Sequence, residues 1–292
     1  MIEYDWPRPP GSPDKPVWSG REFRLGRHAT RILSFGAERS GWTDELTSFH
    51  EDTAGPDHYI DRASRQYAVD QLTRHLRGDG PIVLEVGCSS GFLLRSLRQS
   101  FPHALVVGAD CVRGPLEQLA RELEGVPLLE FDLVKCPLPD GSLDAVVMLN
   151  VLEHIEDDRA AMAQVYRVLK PGGLAVIEVP AGPELYDVYD KVLLHRRRYA
   201  LAGLLSLAES ARLRALRASH LGFFVYPAFW LVKQRAKRFL RAAEAVQRRV
   251  VAEKIHRTRK NVLLGLLMRA ELALGRWVSY PIGIRCVMTC VK

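Results

Sequence analysis

The stretch Ile82-Val83-Leu84-Glu85-Val86-Gly87-Cys88-Ser89-Ser90-Gly91-Phe92-Leu93-Leu94 decides the fold. Its first half is β-branched and apolar, the pattern of a strand buried on both faces of a parallel sheet. Glu85 interrupts that run. A carboxylate in such a strand is costly unless it meets a donor or a cation. At the carboxyl end of a strand, beside a glycine turn, it suits the ligand crevice of an open α/β sheet. Gly87 and Gly91 permit close backbone approach, and the helix predicted to follow offers free N–H groups. The plain alternative is a tight strand-to-helix turn with a solvated glutamate.

Working outward, Val106-Val107-Gly108-Ala109-Asp110 reads as a second strand ending in an acid, 19 positions past Gly91. That is where a ribose-binding carboxylate belongs in a βαβ nucleotide site. Glu130-Phe131-Asp132 ends a third run. Acids at successive strand ends suit a ligand rich in hydroxyls and amines, cationic ones included, better than a pyrophosphate.

Further pieces follow: Leu138-Pro139-Asp140-Gly141-Ser142-Leu143-Asp144, Asn150-Val151-Leu152-Glu153-His154-Ile155 and Arg167-Val168-Leu169-Lys170-Pro171-Gly172-Gly173. In order and spacing, over about residues 80–180, the set resembles class I methyltransferases dependent on S-adenosylmethionine, in the broad group that includes ubiquinone-biosynthesis methyltransferases. Ser89 stands where that family usually has a third glycine. The resemblance implies an α/β fold: a Rossmann-like seven-stranded sheet with helices on both faces, its last strand antiparallel between the fifth and sixth. It implies S-adenosylmethionine as cofactor. Glu85 and the Gly87–Gly91 turn, with Cys88 in it, would hold the amino-acid part. Asp110, with the small residue Cys111 beside it, would take the ribose; Asp132 and Leu133 the adenine edge. Backbone around Leu149 and Asn150 would flank the sulfonium. Arg62 or Arg65, on the helix before the first strand, would meet the methionine carboxylate, a solvated helix face being the alternative.

Methyl transfer needs alignment, exclusion of water and, for an alcohol or phenol, a general base. Glu153 and His154 lie just past the fourth strand, at the rim of the crevice, with His154 the first choice as base. Similar enzymes use Glu-x-x-Glu-His to hold a divalent metal, but Asn150 occupies the first position here, so no metal is expected. A second constellation, Tyr189-Asp190 and His195-Arg196-Arg197-Arg198-Tyr199, resembles an Asp…His-x-Arg-Arg-Tyr segment that follows strand five in relatives. His195 is the second candidate base. Arg197 or Arg198 could grip a substrate phosphate or carboxylate, and Glu153 and Tyr199 complete the expected substrate side. The structural alternative has Asp190 bonded to an arginine, fixing the segment. The favoured activity is O-methylation of a small-molecule or lipid-linked acceptor. N- or C-methylation, and a cofactor-binding module without catalysis, stay open.

The chain has 292 residues and a net charge of +7. Residues 1–56 read as an irregular arm, with Pro7, Pro9, Pro10, Pro13 and Pro16 near its start and Trp42 and Phe49 as anchors. The methyltransferase core is expected over 57–225, a helical insertion over 226–280 and the last strand over 281–292. Predicted helices cover 57–76, 158–169 and 201–213, and the turn Lys170-Pro171-Gly172-Gly173 is expected to end the second. Residues 231–260 carry 11 Lys/Arg and 2 Glu, so the basic balance comes from this one segment. Phe229 to Val250 recur at helical spacing with cations between them, which suits an anionic membrane surface or a lid over the active-site mouth. Nucleic acid fits less well: no base-stacking platform is apparent, and Asn150-Val151-Leu152-Glu153 replaces the Asn/Asp-Pro-Pro-aromatic motif of nucleobase amino-methylating enzymes. Five cysteines without metal-finger spacing, and no apparent signal peptide, point to reduced thiols in the cytoplasm. The oligomeric state is open.

Overall fold

A computed structural model describes residues 2–36, 58–258 and 262–292. Trp42 and Phe49 lie outside them. Strands β1 (Val17–Trp18), β2 (Phe23–Leu25) and β3 (His28–Thr30) form a small antiparallel sheet. Strand β4 (Ile32–Ser34) precedes helix α1 (Tyr59–His75). The core then alternates: β5 (Ile82–Val86), α2 (Phe92–Ser100), β6 (Leu105–Asp110), α3 (Arg113–Glu122), β7 (Leu128–Glu130), β8 (Leu143–Leu149), α4 (Asp158–Val168) and β9 (Leu169–Pro180). After it come α5 (Val188–Val192), α6 (Leu201–Ser210), β10 (Arg214–Leu221), α7 (Tyr226–Ala236), α8 (Glu244–Thr258), α9 (Val262–Leu274) and β11 (Arg285–Val291).

The main sheet runs β10-β11-β9-β8-β5-β6-β7-β4. Every described pairing in it is parallel except those of β11, which lies antiparallel between β9 and β10, as expected. Strand β5 is buried at all five positions, which explains its unbroken apolar reading. It pairs with β6 on one side and β8 on the other, so the winding reverses there. In open α/β sheets that reversal opens a crevice beyond the strands' carboxyl ends.

Three expectations need correction. Among the described residues the sheet has eight strands, because Ile32–Ser34 adds a parallel edge strand beside β7. The N-terminal stretch is therefore not an irregular arm through residue 36. Its aromatics join the core on one face of the main sheet, with the Trp6 and Trp18 rings 4.9 and 4.7 Å from that of Phe23. Prolines exclude long helices and central strands, but short strands form directly after the last of them, Pro16. Lys170-Pro171-Gly172-Gly173 does not close a helix either. Helix α4 ends at Val168, and the four residues bulge out of β9, because Leu143 pairs with Leu169 while Ala145 pairs with Leu174. Gly172 at φ +80° makes that bend.

The insertion is helical, but the 229–250 periodicity is split between α7, a short 3-10 turn (Lys237–Phe239) and α8. Helix α8 packs on α5, and α9 packs on α1.

Candidate functional site

Three acids line the carboxyl ends of adjacent strands. Glu85 in β5 sits opposite Gly108 of β6, and Asp110 ends β6 opposite Glu130 of β7. Asp132 follows two residues later, half-buried, its Oδ1 accepting the Val134 N–H at 3.0 Å beside buried Leu133. The Asp110 carboxylate is oriented by two backbone donors, Ser89 N–H on Oδ2 and Val112 N–H on Oδ1, both at 3.0 Å. Such a carboxylate keeps lone pairs for a diol. Burial, reinforced by the Asp110 charge, pushes the Glu85 carboxyl well above its ordinary range, while the Arg65 guanidinium opposes the rise. Glu85 Oε2 is buried with no hydrogen-bond partner among the described residues. An incompletely compensated buried carboxylate is what a cationic group completes. The strand tips therefore fit a ligand with an ammonium or sulfonium at one end and ribose hydroxyls at the other. Between Arg62 and Arg65, the structure turns Arg65 inward: its guanidinium lies 5.5 Å from the Phe92 ring centre, whereas Arg62 is exposed.

The turn between β5 and α2 needs its glycines. Gly87 adopts φ +73°, and a Cβ there would meet Val151 Cγ2 at 2.7 Å. Gly91, at φ +70°, caps α2, and a Cβ would meet Leu119 Cδ2 at 2.5 Å. Ser89 accommodates the family's third glycine position at φ +42°. Burial pushes the Cys88 thiol well above its ordinary value, which leaves it a packing residue. Cys111 is half-buried one residue past Asp110.

The Gly87–Val151 contact joins this region to a second one, on the segments after β8 and β9. Leu149 ends β8, and Asn150 turns out at φ +56°. Its amide donates to Glu178 Oε1 at 3.2 Å. A 3-10 turn (Leu152–His154) follows. Glu153 is fully buried, neither carboxyl oxygen has a hydrogen-bond partner among the described residues, and burial pushes its pKa up to about 8. It is therefore mostly protonated at neutral pH. The His154 and His195 rings meet edge to face at 4.9 Å. One donor atom each from Glu153, His154 and His195 lies within 4.8 Å of the others. A divalent cation would thus find three donors without calling on Asn150, an arrangement that the Glu-x-x-Glu-His comparison alone does not supply.

His195 is held from behind. Its Nδ1 lies 2.9 Å from Asp190 Oδ1, which also accepts from Arg198 Nη1 at 2.8 Å. Asp190 Oδ2 accepts from Lys233 Nζ at 3.0 Å and from the Asp187 backbone N–H at 3.0 Å. Burial alone would raise the Asp190 pKa, but the His195 hydrogen bond and the charges of Lys233 and Arg198 outweigh it and hold the group well below the usual range. An ionised Asp190 can only accept, so Nδ1 of His195 carries the proton and Nε2 presents a lone pair. Burial lowers the His195 pKa against the pull of Asp190, which keeps the ring neutral.

Arg197, Arg198 and Tyr199, expected on the substrate side, find partners in the chain itself. Arg197 Nη1 meets Asp158 Oδ2 at 2.8 Å and Nη2 meets Glu156 O at 2.7 Å. Arg198 is buried, with Nε on Ala181 O at 2.8 Å, and Tyr199 OH donates to Asp158 at 2.9 Å. The alternative of Asp190 bonded to an arginine is thus present, together with the His195 contact.

Sequence reasoning missed the Glu178–Arg285–Asp61 cluster and the Lys233–Asp187 pair. Arg285 of β11 donates to Glu178 Oε1 at 2.5 Å and to Asp61 of α1 at 2.6 Å, pinning α1 across the strand ends. An ion inside an apolar strand was the signal that singled out Glu85, and it applied equally to Glu178 and Arg285. Lys233 gave no such signal among ten other cations in 231–260.

Comparison with known proteins agrees with this geometry. Residues 84–177 match the methyltransferase domain family. The chain is 35% identical over 130 residues to a demethylmenaquinone methyltransferase of Thermus thermophilus, covering 42% of this chain and 59% of that protein. It is 30% identical over 144 residues to a ubiquinone/menaquinone biosynthesis C-methyltransferase of Desulfotalea psychrophila, covering 48% of this chain and 58% of the relative. The chain therefore spans roughly half of the curated relatives it matches. The fold is shared with an S-adenosylmethionine dependent methyltransferase structure from Mesorhizobium loti, at a TM-score of 0.51 and 14% identity over 80% of this chain and 100% of that one. Together with the acids at the strand tips and the glycine turn, these matches identify residues 84–177 as a methyltransferase domain of the S-adenosylmethionine-dependent kind.

Proposed function

We propose that this protein methylates an oxygen of a small-molecule or lipid-linked acceptor, with His195 as general base. The cofactor supplies an electrophilic methyl group on its sulfonium. Glu85, with Arg65 nearby, and the Gly87–Gly91 turn would hold its amino-acid end; Asp110 would hold the ribose hydroxyls, and Asp132 with Leu133 the adenine edge. The supporting observation for the base is the Asp190–His195 hydrogen bond, which leaves Nε2 as the proton acceptor. Sequence alone favoured His154, but His195 has the carboxylate partner that fixes an imidazole in one tautomer. His154 then packs its edge and orients it. Glu153, held protonated by burial, would donate a hydrogen bond to the acceptor oxygen. Lys233 fixes Asp190 from the insertion side, so α7 forms part of the wall behind the base.

C-methylation is the second reading, supported by the similarity to the C-methyltransferase of Desulfotalea psychrophila. It too requires a proton to leave the acceptor. An acceptor met at an anionic membrane surface is consistent with the excess of cations in 231–260. The deciding test is mass spectrometry of acceptors incubated with isotopically labelled S-adenosylmethionine. Label on an oxygen of a hydroxylated acceptor is the expected result, and label on ring carbon moves the assignment to the second reading.

A further inference from the structure

Helix α9 has two unlike faces. One buries Met268 and Glu271, and the Glu271 carboxylate accepts the Gly222 and Phe224 backbone N–H groups. The other leaves Leu263, Leu266, Ala270, Ala273 and Leu274 exposed, with Trp277 one turn beyond. At 100° per residue these positions share one stripe, about 17 Å long over the helical part. Leu263 is 65% exposed, Leu266 49% and Trp277 88%. Single exposed apolar residues are ordinary, but a continuous stripe ending in tryptophan marks a contact surface.

Charge selects the occupant. Between Val262 and Trp277 the acid, Glu271, is buried, while Arg269 and Arg276 are exposed. The residues leading into this helix, 231–260, carry nine more cations than anions. A second copy packed two-fold across the stripe would bring two such segments together. Anionic lipid instead accepts cations at its headgroups and an apolar stripe with an interfacial tryptophan below them. No helix among the described residues is long and apolar enough to cross a membrane, so the contact would lie in the plane of the surface.

We propose that α9 and Trp277 seat this protein on an anionic membrane surface, the apolar stripe entering the headgroup boundary and the basic segment lying over the phosphates. This deepens the membrane reading given above and rests on it. It also moves the principal contact from the basic segment, where Lys233 is buried in an ion pair and only 4% exposed, to the helix that follows.

Flotation of the full chain with phosphatidylcholine vesicles, with and without phosphatidylglycerol, tests it. The wild type is expected to float with the anionic vesicles, and binding should fall at least about tenfold at 1 M salt, where the Debye length is about 3 Å. The triple variant Leu263→Gln, Leu266→Gln, Trp277→Gln should bind at least about tenfold more weakly. Its unchanged affinity for S-adenosylhomocysteine by calorimetry would show an intact fold. Equal flotation of variant and wild type overturns the α9 contact and leaves charge-driven membrane binding standing. A wild type that floats with neither vesicle overturns both. A concentration-dependent dimer that the variant loses, without vesicle binding, assigns the stripe to a second copy and overturns the proposal.

Discussion

The two halves of the proposed site, one for the cofactor and one for the acceptor, solve the same electrostatic problem in opposite ways. At the tips of β5 and β6, Glu85 Oε2 has no hydrogen-bond partner among the described residues and Asp110 accepts two backbone N–H groups, so in the proposed site the ligand's own groups would complete the set. Beyond β8 and β9, Asp190 is compensated within the chain by Lys233, Arg198 and His195 before any acceptor arrives. The first half is built to be filled. The second is preorganised around one imidazole, which costs no reorganisation when a proton moves. The contrast predicts that mutations in the acceptor half act on stability and turnover, and those in the cofactor half on affinity.

The largest effect should come from Lys233→Met. Removing one partner of a buried ion pair leaves Asp187 and Asp190 undercompensated, and chemical denaturation should register a loss of about 3–5 kcal/mol. A loss below about 1 kcal/mol would mean that the insertion is not tied to the acceptor half.

Glu153 gives a pH test of nearly that size. Its folded pKa, about 8, stands above the ordinary carboxyl value of 4.5, so the folded state holds the proton more tightly. The corresponding stability is present below about pH 4.5 and is lost as pH rises through about 8, on the order of 3 kcal/mol between pH 5 and 8. Glu153→Gln should flatten that slope in unfolding curves measured across the window. An unchanged slope would show that the group is solvated.

For the base, His195→Ala should lower turnover at least about a hundredfold, roughly 2.7 kcal/mol, with cofactor affinity unchanged. Near-normal turnover, with the loss appearing instead in His154→Ala, would return the role to His154. In the other half, Asp110→Ala should weaken cofactor binding at least about tenfold, roughly 1.4 kcal/mol, by calorimetry. If Asp110→Ala left affinity intact while His195→Ala abolished binding, the division into halves would be reversed. The smallest expected effect is that of chelation, which should leave turnover unchanged. A loss restored by a divalent ion would assign Glu153, His154 and His195 as its ligands and correct the expectation drawn from Asn150.

The cofactor half was legible because it is local. A parallel strand buried on both faces must be apolar, so Glu85 stood out beside the glycine turn and Asp110 at the end of the next strand, and the alternation of strands and helices followed. The edge strand Ile32–Ser34 escaped notice because three residues carry no periodicity. The acceptor half could not be read in the same way. His195 announced itself as a candidate, but its tautomer depends on Asp190, and the state of Asp190 depends on a lysine 43 residues further on. One cation among many in a basic segment carries no mark of being buried; packing alone drew Lys233 out of solvent and left Trp277 in it. The sequence by itself determined the central parallel strands, the glycine turn and the acids at the strand tips, because burial on both faces restricts residue type within each of those strands. Only the tertiary structure decided which histidine has a carboxylate behind it and which face of the insertion is bare, because both depend on contacts between segments whose spacing in the chain carries no periodicity.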